Sequence, residues 1–190
     1  DHDSEFRYKG RPIPALQSLD NSQCVIYIGS LSKAISPAIR TGYMVLPDAL
    51  LEKYRQVCGY YACPVSRVSQ AILTTFIRDG YFEKHLNRMR KIYKQKHDHM
   101  VELLQTLFPA GRIRISGDDA GLYVILEYLG KQTEENIKKR ADEHAVRLHS
   151  LRNYYSSLPA GYKPSYLLGF ADLSNEQMEK GIKLLADKIM

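Results

Sequence analysis

The chain has 190 residues, 44% apolar and 25% charged, with a formal net charge of +6. That length buries a sizeable core and makes one or two domains. No apolar run approaches membrane-spanning length, which excludes a bilayer-crossing helix, and no internal repeat or low-complexity tract is present. Residues 1–23 read as irregular, because Arg11-Pro12-Ile13-Pro14 disfavours helix and Asp20-Asn21-Ser22 signals a turn. Cys24-Val25-Ile26-Tyr27-Ile28 then reads as a buried strand that Gly29 ends. A loop carries Ser30-Leu31-Ser32-Lys33, and a second strand runs from Arg40 to Leu46. Asp48 is the expected N-cap of a helix carrying Leu50, Leu51, Tyr54 and Val57, with Gly59 ending it.

A third helix starts near Pro64-Val65-Ser66, with Val68, Ile72 and Phe76 on one side and Gly80 closing it. A long helix is expected from Phe82 to Phe108, with Phe82, Leu86, Met89 and Tyr93 as its buried stripe and Pro109 as its stop. Beyond it, Ile113-Arg114-Ile115 alternates like a strand, and Gly121 to Leu126 is a more apolar one. Thr133 to Ala145 reads as a helix, Val146 to His149 as a short strand, and Tyr166 to Phe170 as another. Ser174-Asn175-Glu176-Gln177 is a capping box ahead of a helix whose Met178, Ile182, Leu185 and Ile189 share one face. This last part is an α+β domain, and the expected boundary divides the chain into 1–108 and 109–190.

Much of the basic excess lies between Lys84 and Lys96 on one helix. Such charge can mark nucleic-acid binding, but here it reads as a solvated helix face. Cys24, Cys58 and Cys63 form a sparse, odd set without zinc spacing, expected as free thiols in a reducing compartment. No leader segment is visible, so the chain reads as cytoplasmic. His85, His97, His99, His144 and His149 show no ligand spacing and are expected on helix faces or the surface, so no metal site is expected. Tyr60 and Tyr61 are expected to pack.

The chemistry concentrates after the first strand, where an α/β protein usually presents reactive groups. A lysine amine beside two hydroxyls and an arginine suits a carbonyl cofactor that carries a phosphate. Lys33 would attach to the carbonyl, Arg40 would offer its planar fork to the phosphate, and Ser30 and Ser32 would donate hydroxyl hydrogen bonds. That describes pyridoxal 5'-phosphate (PLP).

The stretch Val25 to Pro47 resembles the lysine segment of the fold-type I, class I/II aminotransferases. Its variant resembles the aminotransferase-like domain of MocR/GabR-type GntR-family regulators. Asp3 to Tyr8, Arg11 to Gln17, Gly80 to Leu86 with Arg88-Met89-Arg90 and Tyr93, and Leu168-Gly169-Phe170-Ala171 extend the similarity over nearly the whole chain. The resemblance implies an α/β fold, here the end of the PLP-binding large domain followed by a small C-terminal α+β domain. A complete fold of this kind needs about twice this length, so the chain looks like a C-terminal half. By spacing to Lys33, the tyrosine that contacts the cofactor's ring hydroxyl falls on His2, and the aspartate that pairs with the pyridine nitrogen falls before Asp1. Class I members usually place a substrate-carboxylate arginine in the last strand, where this chain has Leu167. Arg152, in a loop resembling one that enters the cofactor pocket, is the candidate replacement.

Two functions follow from the resemblance. One is a PLP-binding effector domain of a regulator, sensing an amine or amino acid and reaching DNA only through an N-terminal domain outside this chain. The other is a free-standing PLP-dependent aminotransferase. Both imply a homodimer, and a winged helix ahead of the PLP domain would separate them.

Overall fold

The computed structural model describes residues 5–11 and 13–190. The chain divides into two compact units, Asp1–Arg90 and Lys91–Met190. In the first, a short 3-10 turn at Leu16–Leu19 interrupts the expected irregular segment. An antiparallel pair follows, β1 (Tyr27–Ser30) and β2 (Gly42–Val45), in the register Tyr27↔Val45 to Ser30↔Gly42. The four-residue helix α1 (Leu31–Ala34) lies between them.

The strand starts three residues later than expected, and it is not buried: Ile26 is 45% and Ile28 63% exposed. The late start comes from Asp20. Its carboxylate accepts the backbone N–H groups of Ser22 (2.9 Å), Cys24 (2.8 Å) and Val25 (2.8 Å). Those donors are consumed in a side-chain-capped loop, so ladder pairing starts only at Tyr27. The Val25 bond leads the effects that hold the Asp20 carboxyl below its usual range.

Helix α2 (Asp48–Cys58) is capped by Pro47 in place of the expected Asp48, which instead sits in the first turn, where its charge suits the helix dipole. Gly59 closes it by donating to the Arg55 carbonyl at 3.0 Å. Ser66 caps α3 (Arg67–Arg78), accepting from the Ser69 N–H at 3.1 Å, and Gly80 ends that stretch at a φ of 75°. The apolar faces of both helices form as the periodicity predicts, yet they are not core. Leu73 is the one described residue of α3 that is buried, while Val68 is 70% and Ile72 60% exposed, and α2 has no buried residue. Cys24, Tyr60 and Tyr61 are exposed as well, and the three cysteines are free thiols.

Helix α4 (Tyr81–Leu107) runs 27 residues, about 40 Å at the helical rise. The division between the units falls inside it, at Arg90 and Lys91. Of its expected stripe, Leu86 is buried and Phe82, Met89 and Tyr93 are half-buried. The basic face is only partly solvated. Arg90 donates to the Glu5 carbonyl at 2.8 Å, and Lys96 donates to the Ala171 carbonyl at 2.5 Å. His97, expected on a helix face or at the surface, lies on α4 but is 3% exposed, stands edge-on to Phe170 at 5.9 Å, and bonds Asp98 through Nδ1 at 2.9 Å.

The second unit carries a four-stranded antiparallel sheet in the order β3-β4-β6-β5. Its strands are β3 (Ile113–Ser116), β4 (Tyr123–Tyr128), β5 (His149–Ser150) and β6 (Ser165–Gly169). Val124, Leu126 and Tyr128 of β4 alternate onto the buried face with Tyr166 and Leu168 of β6. Against these residues the unit also buries Met100, Leu104 and Phe108 of the α4 end and Ile137 and Ala141 of α5 (Glu134–Glu143). Helix α6 (Asn175–Leu184) adds Met178 and Ile182, and the π-turn after it adds Leu185 and Ile189. The Ser174–Gln177 capping box is formed in both directions. The expected Val146–His149 strand shrinks to His149–Ser150. Ala145 takes a φ of 55° and the Val146 N–H returns to the Ala141 carbonyl at 2.8 Å, so the helix end uses that donor.

Candidate functional site

The first unit gathers four of the six expected residues around one turn. Ser30 ends β1 and caps α1, its Oγ accepting from the Ser32 N–H at 3.3 Å. Ser32 Oγ donates to the Ile39 carbonyl at 2.6 Å and accepts from Arg40 Nη1 at 3.4 Å. The Leu31 N–H closes the turn onto the Thr41 carbonyl at 3.0 Å. Ser30, Ser32 and Arg40 therefore converge, and Lys33 rises half-buried from the same turn. A hydroxyl carries one proton. That of Ser32 is committed to Ile39, whereas Ser30 uses its oxygen only as an acceptor and keeps its proton for a ligand. Arg40 is exposed and offers its remaining guanidinium donors.

Two features of this hairpin were not anticipated. Gly29 sits inside the strand and does not end it. A Cβ there would meet the Tyr43 ring, whose Oη lies 2.6 Å from that position. Glycine is thus required by the close approach of a cross-strand aromatic. Tyr27 and Tyr43 stand 6.0 Å apart and tilted, and their mutual hydrogen bond leads the effects that raise the Tyr27 phenol above its usual range. A glycine within an apolar strand, facing an aromatic in the next, was the available signal.

The other two candidates lie elsewhere. Arg152 belongs to the second unit, on the 3-10 turn Leu151–Tyr154, with Nη1 3.7 Å from Glu134 Oε2. Its side chain is 52% exposed. His2 falls outside the described residues. Leu167, at the position of the missing arginine, pairs with Ile125 and His149 in β6. Among the described residues, no group of three or more histidine, cysteine or acidic side chains is placed to hold a metal ion.

The sequence profile described as aminotransferase class I and II matches residues 4–185. The chain belongs to that family. Among curated relatives, the HTH-type transcriptional regulator YdeL of Bacillus subtilis is 38% identical over 97% of this chain and 39% of its own length. The probable rhizopine catabolism regulatory protein MocR of Rhizobium meliloti is 33% identical over 97% of this chain and 37% of its own. Among solved structures, the kynurenine aminotransferase of Pyrococcus horikoshii, determined with PMP, superposes with a TM-score of 0.82 at 27% identity, over 97% of this chain and 45% of that one. The family membership makes the architecture the C-terminal part of the fold-type I transferases. The chain spans about two fifths of the length of the regulators it matches.

Proposed function

We propose that this chain is the PLP-binding, aminotransferase-like effector region of a MocR/GabR-type transcriptional regulator that responds to an amine or amino acid. The observation that carries the reading is the convergence of Ser30, Ser32 and Arg40 on the turn presenting Lys33. This donor set fits PLP: an amine for its carbonyl, and a fork and a free hydroxyl proton for its phosphate. When bound, PLP supplies a ring that accepts electrons from an attached amine. Lys33 Nζ would hold the cofactor's carbonyl carbon, Arg40 and Ser30 would hold its phosphate, and Ser32 would steady the Arg40 side chain at 3.4 Å. Leu167, at the position of the usual carboxylate arginine, cannot hold an effector's carboxylate.

The regulator reading is supported by the identities to YdeL and MocR and by that leucine. DNA contact belongs to an N-terminal domain outside this chain, and the protein works in the cytoplasm. No helix among the described residues is long and apolar enough to cross a membrane. The protein is a homodimer, in keeping with the apolar side chains that α2 and α3 leave exposed. The likeness to the Pyrococcus aminotransferase favours a second reading, a free-standing aminotransferase.

One experiment separates them. The whole protein carrying this chain is loaded with PLP and exposed to a panel of amino acids, with DNA retention and amino-group transfer to a keto acid measured side by side. Ligand-dependent DNA binding with little turnover supports the regulator. Sustained turnover with no DNA retention assigns the enzyme.

A further inference from the structure

We propose that the second unit holds a separate small-molecule site, a cavity between α5 and the segment 146–153 that takes a zwitterion with an ammonium at one end and a carboxylate at the other. The cavity lies wholly within that unit and uses neither Lys33 nor Arg40. Its volume is about 460 Å³, within the range of small-molecule pockets, and its lining includes Glu134, Lys138, Arg147, Arg152, Asn153 and Tyr166.

Two buried polar atoms at this cavity lack a hydrogen-bond partner. The Tyr166 side chain is buried, with 2% of the residue exposed, and its Oη has no partner. Glu134 sits at the first position of α5, placed there by the Thr133 cap, whose Oγ1 accepts from the Asn136 N–H at 3.3 Å. Its Oε1 accepts from Ser150 Oγ, while its Oε2 is buried and unpartnered. Arg152 Nη1, at 3.7 Å, is too far to supply that bond. Folded proteins seldom leave such atoms unmatched, and an exception asks for an explanation. Burial, and then the Glu134 charge, keep the Tyr166 phenol protonated well above its usual range.

A ligand ammonium seated between Glu134 and Tyr166, with a small outward shift of the cavity wall, would donate to Glu134 Oε2 and to Tyr166 Oη. Charge balance sets the rest of the ligand. Glu134, Glu135 and Asp142 face Lys138, Arg147 and Arg152, so the lining carries no net formal charge. A bare cation or a bare anion meets as much repulsion as attraction there, whereas a zwitterion matches both ends. Lys138 and Arg147, exposed at the rim, take its carboxylate.

The test is calorimetric titration of the whole protein carrying this chain, without PLP and in a Lys33→Ala background, so that its failure and failure of the cofactor reading are distinct. The probes are δ-aminovalerate, n-pentylamine and pentanoate. Saturable one-to-one binding of δ-aminovalerate is expected, with each single-charge analogue weaker by at least about tenfold. Tyr166→Phe, which removes one unpartnered oxygen and no packing, and Glu134→Gln, which keeps the shape, should each weaken binding by about tenfold or more while the circular dichroism stays unchanged. No saturable heat up to millimolar δ-aminovalerate, equal affinity for pentylamine, or undiminished binding in Tyr166→Phe overturns the proposal.

Discussion

Ser30 and Ser32 look alike in the sequence, and the structure separates their roles. Ser32 spends its only proton on the Ile39 carbonyl at 2.6 Å, so it has none to give a phosphate. Ser30 accepts from the Ser32 N–H and keeps its proton. On the proposed reading, Ser30→Ala should remove a charge-assisted hydrogen bond to the phosphate, about 1.5–3 kcal/mol, and lower PLP affinity about ten- to hundredfold. It also removes a helix cap, at about 1 kcal/mol of stability. Ser32→Ala removes the Ile39 bond, about 0.5–1.5 kcal/mol of stability, and a long 3.4 Å support of Arg40. Its effect on PLP affinity should stay below about tenfold. Absorbance titration with PLP of the whole protein carrying this chain, paired with urea denaturation, reads both quantities. If Ser32→Ala loses as much PLP affinity as Ser30→Ala, the division of roles is wrong.

Three further outcomes follow from the same geometry. Lys33→Ala should abolish borohydride-fixed PLP, read by intact mass; a fixed adduct that persists places the attachment on another lysine. Arg40→Lys keeps the charge and loses the fork, so equilibrium dialysis should show PLP affinity down by about tenfold or more, and unchanged affinity returns Arg40 to the surface. The Asp20 carboxyl is held below its usual value of 3.8, so its contribution to stability is fully present above that pH and is lost as pH falls through its lower folded value. The stability gap between wild type and Asp20→Ala in denaturation curves should therefore narrow on acidification below about pH 4, and a gap that widens there reverses the sign of this reasoning.

The second unit was largely legible. Its capping box, the i, i+4 stripe of α6 and the alternation of β4 and β6 are local patterns that their own unit buries. What escaped there depended on single donors: the Val146 N–H returning to α5, and His97 tucked against Phe170. In the first unit, element types were legible and environments were not. Periodicity marked Val68 and Ile72 as one face of α3, but it reports which residues share a face and not what lies against that face. The Lys33 turn was visible as residue types. The commitment of the Ser32 proton to Ile39 was not, because it depends on where a carbonyl seven residues on comes to rest.

That contrast bears on how the Lys33 turn is held. Among the described residues, the first unit supplies four of the twenty buried apolar side chains and seventeen of the twenty-one large apolar side chains that remain exposed. Its elements are therefore specified by short-range devices: the Asp20 loop, the Ser30 and Ser66 caps, and the β1–β2 register with Tyr43 over Gly29. Such devices are worth about 1 kcal/mol each, less than burial of a single large apolar side chain. They set the shape of the turn but give it little resistance to opening. Covering the exposed apolar side chains of β1 and β2 would add burial energy to the hairpin that carries Ser30 and follows Arg40. On the proposed reading, cofactor affinity and the covering of those side chains are thermodynamically linked: whatever buries Ile28 or Met44 would tighten the hold on the phosphate by the same free energy that the bound cofactor lends to the packing.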